Sequence, residues 1–237
     1  ASETGGTLMK KEDGAMNLLE EVRRFRIVVA LRGIPAEQMA AAAAALFDGG
    51  IRMLEVTFRQ SSETAEEDAV RGIRSIRAAM GNKMKIGAGT VMTRSQVRAA
   101  AEAGAEYILA PNVDPEVLSE CGKLGLPAVP GAFTPSEIAA AWKAGAALVK
   151  LFPCGVLGTE YVRAVTSPLD HIPLLGMGGI NENNLTRFLS LPHMECVGIG
   201  SAIVKPLLIQ ERKYQELTAL AKRYTSQLVP DEAGGEI

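Results

Sequence analysis

A lysine ends the apolar run Ala146-Ala147-Leu148-Val149-Lys150, just ahead of Leu151-Phe152-Pro153. Apolar surroundings disfavour an ammonium ion, so the pKa falls and a neutral amine becomes available to attack a ketone. On an open surface the same side chain would merely reach for water. A glutamate interrupts a second apolar run, Met53-Leu54-Glu55-Val56-Thr57. A buried carboxylate needs a partner or a raised pKa. Glu55 is either a structural partner of an arginine or a general acid/base able to move protons during imine formation and carbon–carbon cleavage.

Further groups fit an anionic substrate. Arg32 and Arg59 follow apolar runs in Leu31-Arg32-Gly33 and Thr57-Phe58-Arg59, and guanidinium grips carboxylate in a two-pronged fork. Gly87-Ala88-Gly89-Thr90 combines room for a ligand against the backbone with a hydroxyl donor. Gly178-Gly179-Ile180-Asn181 and Gly198-Ile199-Gly200-Ser201 read as loops whose amides, with a helix N-terminus, would cradle a phosphate. Metal chemistry has no marker. The only histidines, His171 and His193, fall in loops that precede strands, and no His-x-His or HExxH pattern occurs.

The elements that must carry these groups repeat one half-unit: an Ala-rich helix, a glycine stop, a short apolar strand and a polar loop. Ala36–Phe47 runs to Gly49-Gly50, Gln96–Ala103 to Gly104, and Ile138–Ala144 to Gly145. Glycine past a helix supplies the left-handed cap that ends it. The pattern predicts eight strands: Ile27–Ala30, Met53–Thr57, Lys85–Gly89, Tyr107–Ala110, Ala128–Pro130, Leu148–Lys150, Leu174–Met177 and Val197–Gly200. A helix is expected after each, the last over Ile209–Thr225, and an extra helix over Met16–Phe25 should cover the bottom. Eight βα units argue for an α/β fold of the (β/α)8 TIM-barrel type, and an open doubly wound sheet is the competing arrangement. In a barrel, the C-terminal strand ends face the active-site mouth. That rule sends Lys150, Arg32, Arg59, Thr90 and the glycine loops to the mouth. Lys85, which starts its strand, goes to the floor as a structural group.

Length and composition agree with one unit. The chain has 237 residues, 47% hydrophobic and 22% charged, with a formal net charge of −2. Nothing basic enough to bind nucleic acid is present, and no apolar run reaches membrane-spanning length. Cys121, Cys154 and Cys196 are too scattered for a disulfide framework or a CxxC metal pair, which points to a reducing cytoplasm. Residues 1–15 read as a flexible N-terminal extension, 16–228 as the single barrel and 229–237 as a flexible tail.

Taken together, Leu54-Glu55-Val56-Thr57-Phe58-Arg59, Gly87-Ala88-Gly89-Thr90-Val91, Pro111, Pro130-Gly131, Lys150-Leu151-Phe152-Pro153, Gly178-Gly179 and Gly200-Ser201 resemble the class I 2-keto-3-deoxy-6-phosphogluconate (KDPG) / 4-hydroxy-2-oxoglutarate aldolases. The resemblance covers about Ile27 to Tyr224. It implies a metal-free, cofactor-free lyase in which Lys150 forms the pyruvate imine and Glu55 shuttles protons. Arg59 and Thr90 would hold the pyruvate carboxylate, Pro111 and Phe152 would wall the pocket, and Gly178, Gly179, Gly200 and Ser201 would bind phosphate. It also implies a cytosolic homotrimer. The chain departs from the gluconate pattern at Met177, where a threonine is usual, and at Pro153-Cys154-Gly155, where Pro-Ala-Glu is frequent. Gly158-Thr159-Glu160-Tyr161 and Leu31-Arg32-Gly33 lean toward the phosphogalactonate branch. A sugar-phosphate isomerase or epimerase and a barrel that only binds a phosphorylated ligand are the rival readings.

Overall fold

The computed structural model describes residues 14, 16–61 and 64–228. The expected extension, Gly14 apart, and the expected tail lie outside the described residues. A helix over 16–25, α1, leads into strict alternation. The chain then runs β1 (Ile27–Leu31), α2 (Ala36–Asp48), β2 (Met53–Thr57), α3 (Ala65–Met80), β3 (Lys85–Gly89), α4 (Arg94–Ala103), β4 (Tyr107–Leu109) and α5 (Pro115–Leu124). It continues with β5 (Ala128–Val129), β6 (Gly131–Ala132), α6 (Pro135–Lys143), β7 (Val149–Leu151), α7 (Cys154–Thr166), β8 (Leu174–Met177), α8 (Leu185–Leu189), β9 (Met194–Ile199), α9 (Pro206–Gln210) and α10 (Tyr214–Thr225).

All strand pairs are parallel, in the order β5-β4-β3-β2-β1-β9-β8-β7-β6. The two ends of that order are halves of one strand. Pro130 divides them because it has no N–H to give a ladder. On one side β5 pairs with β4, on the other β6 pairs with β7, and the Lys150 amide donates to the Pro130 carbonyl at 2.9 Å. The ring therefore closes as a TIM-type barrel of eight strands, as expected, the fifth divided into β5 and β6. The open-sheet alternative is excluded.

Other boundaries move for local reasons. β9 begins at Met194 instead of Val197, with Glu195 paired to Arg23 of α1 at 2.9 Å. The expected last helix is two, α9 and α10, because Arg212 takes φ 52° between them and ends the first. Caps set the helices between strands. Thr93, Asp114 and Thr134 accept from first-turn amides, Thr134 within a full capping box with Glu137.

Alternate strand residues face inward, as the two-residue period of a strand requires. Val28, Met53, Tyr107, Leu109, Leu148, Leu175, Met177 and Cys196 form one cluster with Leu18 and Val22 of α1. The other set, with Ile27, Val29, Leu54, Val56, Val149 and Leu151 among it, packs against the helices. Helix α1 thus plugs the floor. Glu21 meets Lys85 at 3.5 Å, and Lys85 meets Glu106 at 3.4 Å. Lys85 is a floor residue with structural partners. No helix among the described residues is long and apolar enough to cross a membrane.

Candidate active site

Glu55 and Lys150 sit on the inward faces of β2 and β7. In register, Glu55 lies opposite Ala30 and Gly87, and Lys150 lies opposite Gly131 and Leu175. Small neighbours leave a hollow that the two long side chains enter. Gly89 shows how tight the fit is: a Cβ there would stand 2.2 Å from Glu55 Oε2. Below them the Tyr107 ring fills the space over Gly87, whose own Cβ would stand 2.2 Å from the ring, and its hydroxyl donates to the Leu54 carbonyl at 2.5 Å. The site has an apolar floor.

Burial governs the electrostatics. Glu55 is 1% exposed and Lys150 3%. Burial pushes the Glu55 carboxyl above its ordinary value, opposed by the positive charges of Lys150 and Arg32. Burial pulls the Lys150 ammonium below its ordinary value; Glu55 opposes this and Arg32 adds to it. The pair can therefore hold a neutral amine beside a proton-carrying carboxyl. Glu55 Oε2 is buried with no hydrogen-bond partner among the described residues, a costly state unless a ligand atom completes it. The Lys150 Nζ stands 5.0 Å from the centre of the half-exposed Phe152 ring.

The two arginines part company. Arg32 donates to Thr90 Oγ1 at 2.9 Å and bears on both Glu55 and Lys150. Arg59 instead lines a groove of about 210 Å³ with Gly33, Glu37, Thr57, Asp68 and Arg71. There it adds to the field that holds Asp68 low, after hydrogen bonds from Arg71 and Thr64. So Arg32 joins the Thr90 cluster, and Arg59 lies to one side of it. Pro111 follows β4 beside the strand break: its carbonyl oxygen would stand 2.3 Å from a Cβ on Gly131.

The glycine loops after β8 and β9 are neighbours, since Met177 pairs with Gly198. Gly178 and Gly179 both take positive φ, 88° and 80°. The Gly155 amide donates to Gly178 O at 2.6 Å, and a Cβ at Gly155 would stand 2.5 Å from the Gly179 carbonyl carbon. That contact accounts for glycine where a larger residue is frequent. Asn184 pins the loop, accepting from the Asn181 amide at 2.8 Å and donating to Gly179 O at 3.0 Å. The expected helix N-terminus is weak here, because α8 and α9 span five residues each. Loop amides are left to act: those of Gly179 and Ser201 donate to no acceptor among the described residues. Ser201 is exposed beside them. Met177 folds inward, its Cε 2.1 Å from where a Cβ on Gly198 would be. Among the described residues no cluster of three His, Cys, Asp or Glu could hold a metal.

Tyr107 and Gly155 are not legible as contributors in the sequence. An aromatic in an apolar run and a glycine in the first turn of α7 carry no signal until their neighbours are known.

The comparisons fit this geometry. A family model described as KDPG and KHG aldolase matches residues 18–220. A 2-dehydro-3-deoxy-phosphogluconate aldolase from Treponema pallidum is 33% identical over 90% of this chain and 98% of its own. A 2-dehydro-3-deoxy-6-phosphogalactonate aldolase from Escherichia coli is 31% identical over 85% and 95%. A KDPG aldolase from Legionella pneumophila, solved with pyruvate captured as a covalent carbinolamine, superposes with a TM-score of 0.77 at 28% identity, covering 85% of this chain and 94% of that one.

Proposed function

We propose, from the premise that the chain belongs to the KDPG and KHG aldolase family, that it is a class I aldolase cleaving a 2-keto-3-deoxy-6-phospho sugar acid to pyruvate and glyceraldehyde 3-phosphate. One observation supports the residue roles above all: a buried amine and a buried carboxyl share the barrel mouth, and one carboxyl oxygen lacks a partner among the described residues.

The steps follow from that pair. Neutral Lys150 adds to the C2 ketone, and the Glu55 carboxyl gives its proton to the departing hydroxyl, which leaves as water; a protonated imine and a Glu55 carboxylate remain. Glu55 takes the proton from the C4 hydroxyl, the C3–C4 bond breaks into the imine, and the aldehyde departs. Glu55 then returns the proton to C3 of the enamine, and water hydrolyses the pyruvate imine to free Lys150. Thr90, with Arg32 donating to it at 2.9 Å, would take the carboxylate together with Arg59. Phe152 and Pro111 wall the pocket.

An isomerase or epimerase would need no imine, so borohydride with pyruvate tests the reading directly. A reduced adduct on the Lys150 peptide is expected; a label on Lys85 or Lys205, or none, would sink it. Pyruvate release should then be assayed with the gluconate- and galactonate-derived keto-deoxy phosphates and with 4-hydroxy-2-oxoglutarate, which would give glyoxylate. The galactonate series is the second reading, favoured by Gly158-Thr159-Glu160-Tyr161 and Leu31-Arg32-Gly33, while Met177 departs from the gluconate pattern. The family resemblance further supports a homotrimer in the cytoplasm.

Phosphate would rest on Gly178, Gly179, Gly200 and the Ser201 hydroxyl. Amides can hold an oxyanion only where the backbone comes close. Gly200 is the position to test, because a Cβ there meets only Ala30 Cβ at 3.8 Å, whereas Gly179 has φ 80° and any side chain would be strained. Gly200→Val should raise KM for phosphorylated substrates by about 10- to 100-fold, the scale of one or two hydrogen bonds to a charged group. KM for 4-hydroxy-2-oxoglutarate should hardly move. Equal damage to both substrates in a folded variant would mean that the glycine shapes the barrel.

A further inference from the structure

Thr90 has an unusual backbone. It takes φ 57°, a left-handed conformation that a β-branched residue adopts only when its surroundings impose it. The ladder grips the chain on both sides. Phe58 N donates to Gly89 O at 2.8 Å, and Val91 N donates to Leu109 O at 3.1 Å. Between those anchors the Thr90 carbonyl is turned out of the sheet, and the Gln60 side-chain amide donates to it at 2.7 Å. Gln60 is held in turn. Gln96 Nε2 donates to Gln60 Oε1 at 3.1 Å, and Gln96 Oε1 takes the Met92 amide at 2.8 Å. Gln96 is itself fixed in the first turn of α4, where its amide donates to the Thr93 hydroxyl at 3.2 Å.

The purpose of the turned carbonyl is at the other end of the residue. With the backbone left-handed, the Thr90 hydroxyl meets Arg32 Nη2 at 2.9 Å and so stands in the cluster around Glu55 and Lys150. We infer that Gln60, oriented by Gln96, is a positioning residue that holds Thr90 left-handed so that its hydroxyl and Arg32 together receive the substrate carboxylate. This rests on the pyruvate reading above. Gln60 is an exposed loop residue outside the core, so its change leaves core packing intact and tests the hydrogen bond to Thr90. A left-handed Thr is costly, and a clamp that offsets that cost shows up as affinity for the group Thr90 receives.

The experiment is a pyruvate titration of borohydride trapping, read by intact mass, with thermal unfolding recorded for every variant. Gln60→Met keeps the length of the side chain and removes the donor. It should raise the pyruvate concentration for half-maximal trapping about 5- to 30-fold, the range that backbone strain of this kind spans. The adduct formed at saturating pyruvate should persist, because Lys150 is untouched. Gln96→Met should shift it in the same direction by less. Thr90→Gly supplies the control, since glycine adopts left-handed φ without help. In that background Gln60→Met should change half-saturation by less than about twofold. Full additivity of the two changes, or a Gln60→Met variant within about twofold of the parent, would overturn the clamp while leaving the imine chemistry intact. No adduct in the parent protein would overturn the pyruvate reading and the clamp with it.

Discussion

Lys150→Met should lower kcat/KM for cleavage by about 10⁵- to 10⁶-fold, the scale seen when a covalent nucleophile is removed, in a barrel that stays folded. The amine is the only group in the pocket that can join the ketone carbon, and its burial is what keeps it reactive. Lys150→Arg should do as much damage, because guanidinium stays protonated. Stability follows the opposite logic. Methionine removes a desolvated cation, so the melting temperature should hold or rise at low pH. It also removes one of the two charges that restrain Glu55, whose carboxyl is already raised by burial and should rise further. The sign is then fixed. A folded-state pKa above the unfolded one stabilises while the group is protonated in both states, and that stability is lost as pH climbs from the ordinary glutamate value through the raised one. Thermal unfolding of Lys150→Met across pH should fall along that window more steeply than the parent. Residual turnover near the parent's in a pure sample would remove Lys150 from the chemistry.

Glu55→Gln should cost about 10²- to 10⁴-fold in kcat, the usual contribution of a positioned acid or base. Glutamine keeps the shape that fits against Gly89, where the carboxylate already occupies the volume a Cβ would need. It cannot take a proton from a C4 hydroxyl or give one to C3. The effect on Lys150 runs the other way. Glu55 holds the ammonium up, so its loss lowers the Lys150 pKa and leaves more neutral amine at a given pH. Trapping of pyruvate should thus still reach the parent's final extent, more slowly, while cleavage collapses. Steady-state rates and trapping time courses on one preparation separate the two. If the variant melts lower yet its folded fraction turns over normally, Glu55 is a structural partner of Arg32 and nothing more.

The sequence reveals both groups because each breaks an apolar strand, and a charge among Val, Leu and Met has few innocent explanations. The strand positions are legible for a similar reason: Gly50, Gly104 and Gly145 all take positive φ where helices end and strands follow. Pro130 is different. Its effect depends on having partners on both sides, Val129 taking the Ala110 amide and Pro130 taking the Lys150 amide, and no local pattern reveals that. The early start of β9 depends on its ladder with β8, where Leu174 pairs with Met194 across a register shift. Arg32 and Arg59 look alike as letters, each one step past an apolar run. Only the loop paths decide that one donates to Thr90 and the other lines the groove that holds Asp68 and Arg71. Gln60 is less legible still, since an amide side chain acquires a role only when a backbone carbonyl is turned toward it.

The plugged floor has a kinetic meaning. Among the described residues, α1, Tyr107 and the inward cluster seal one end, which leaves the mouth beside the glycine loops as the way to Lys150. On the proposed mechanism, pyruvate would stay tethered to Lys150 while the aldehyde phosphate stands between it and water. The aldehyde would then leave first, and hydrolysis of the imine would wait until the mouth is clear. In the condensing direction the sequence would reverse, with pyruvate entering first and an early aldehyde blocking the way. A barrel closed at one end thus predicts an ordered mechanism, which product-inhibition patterns would check.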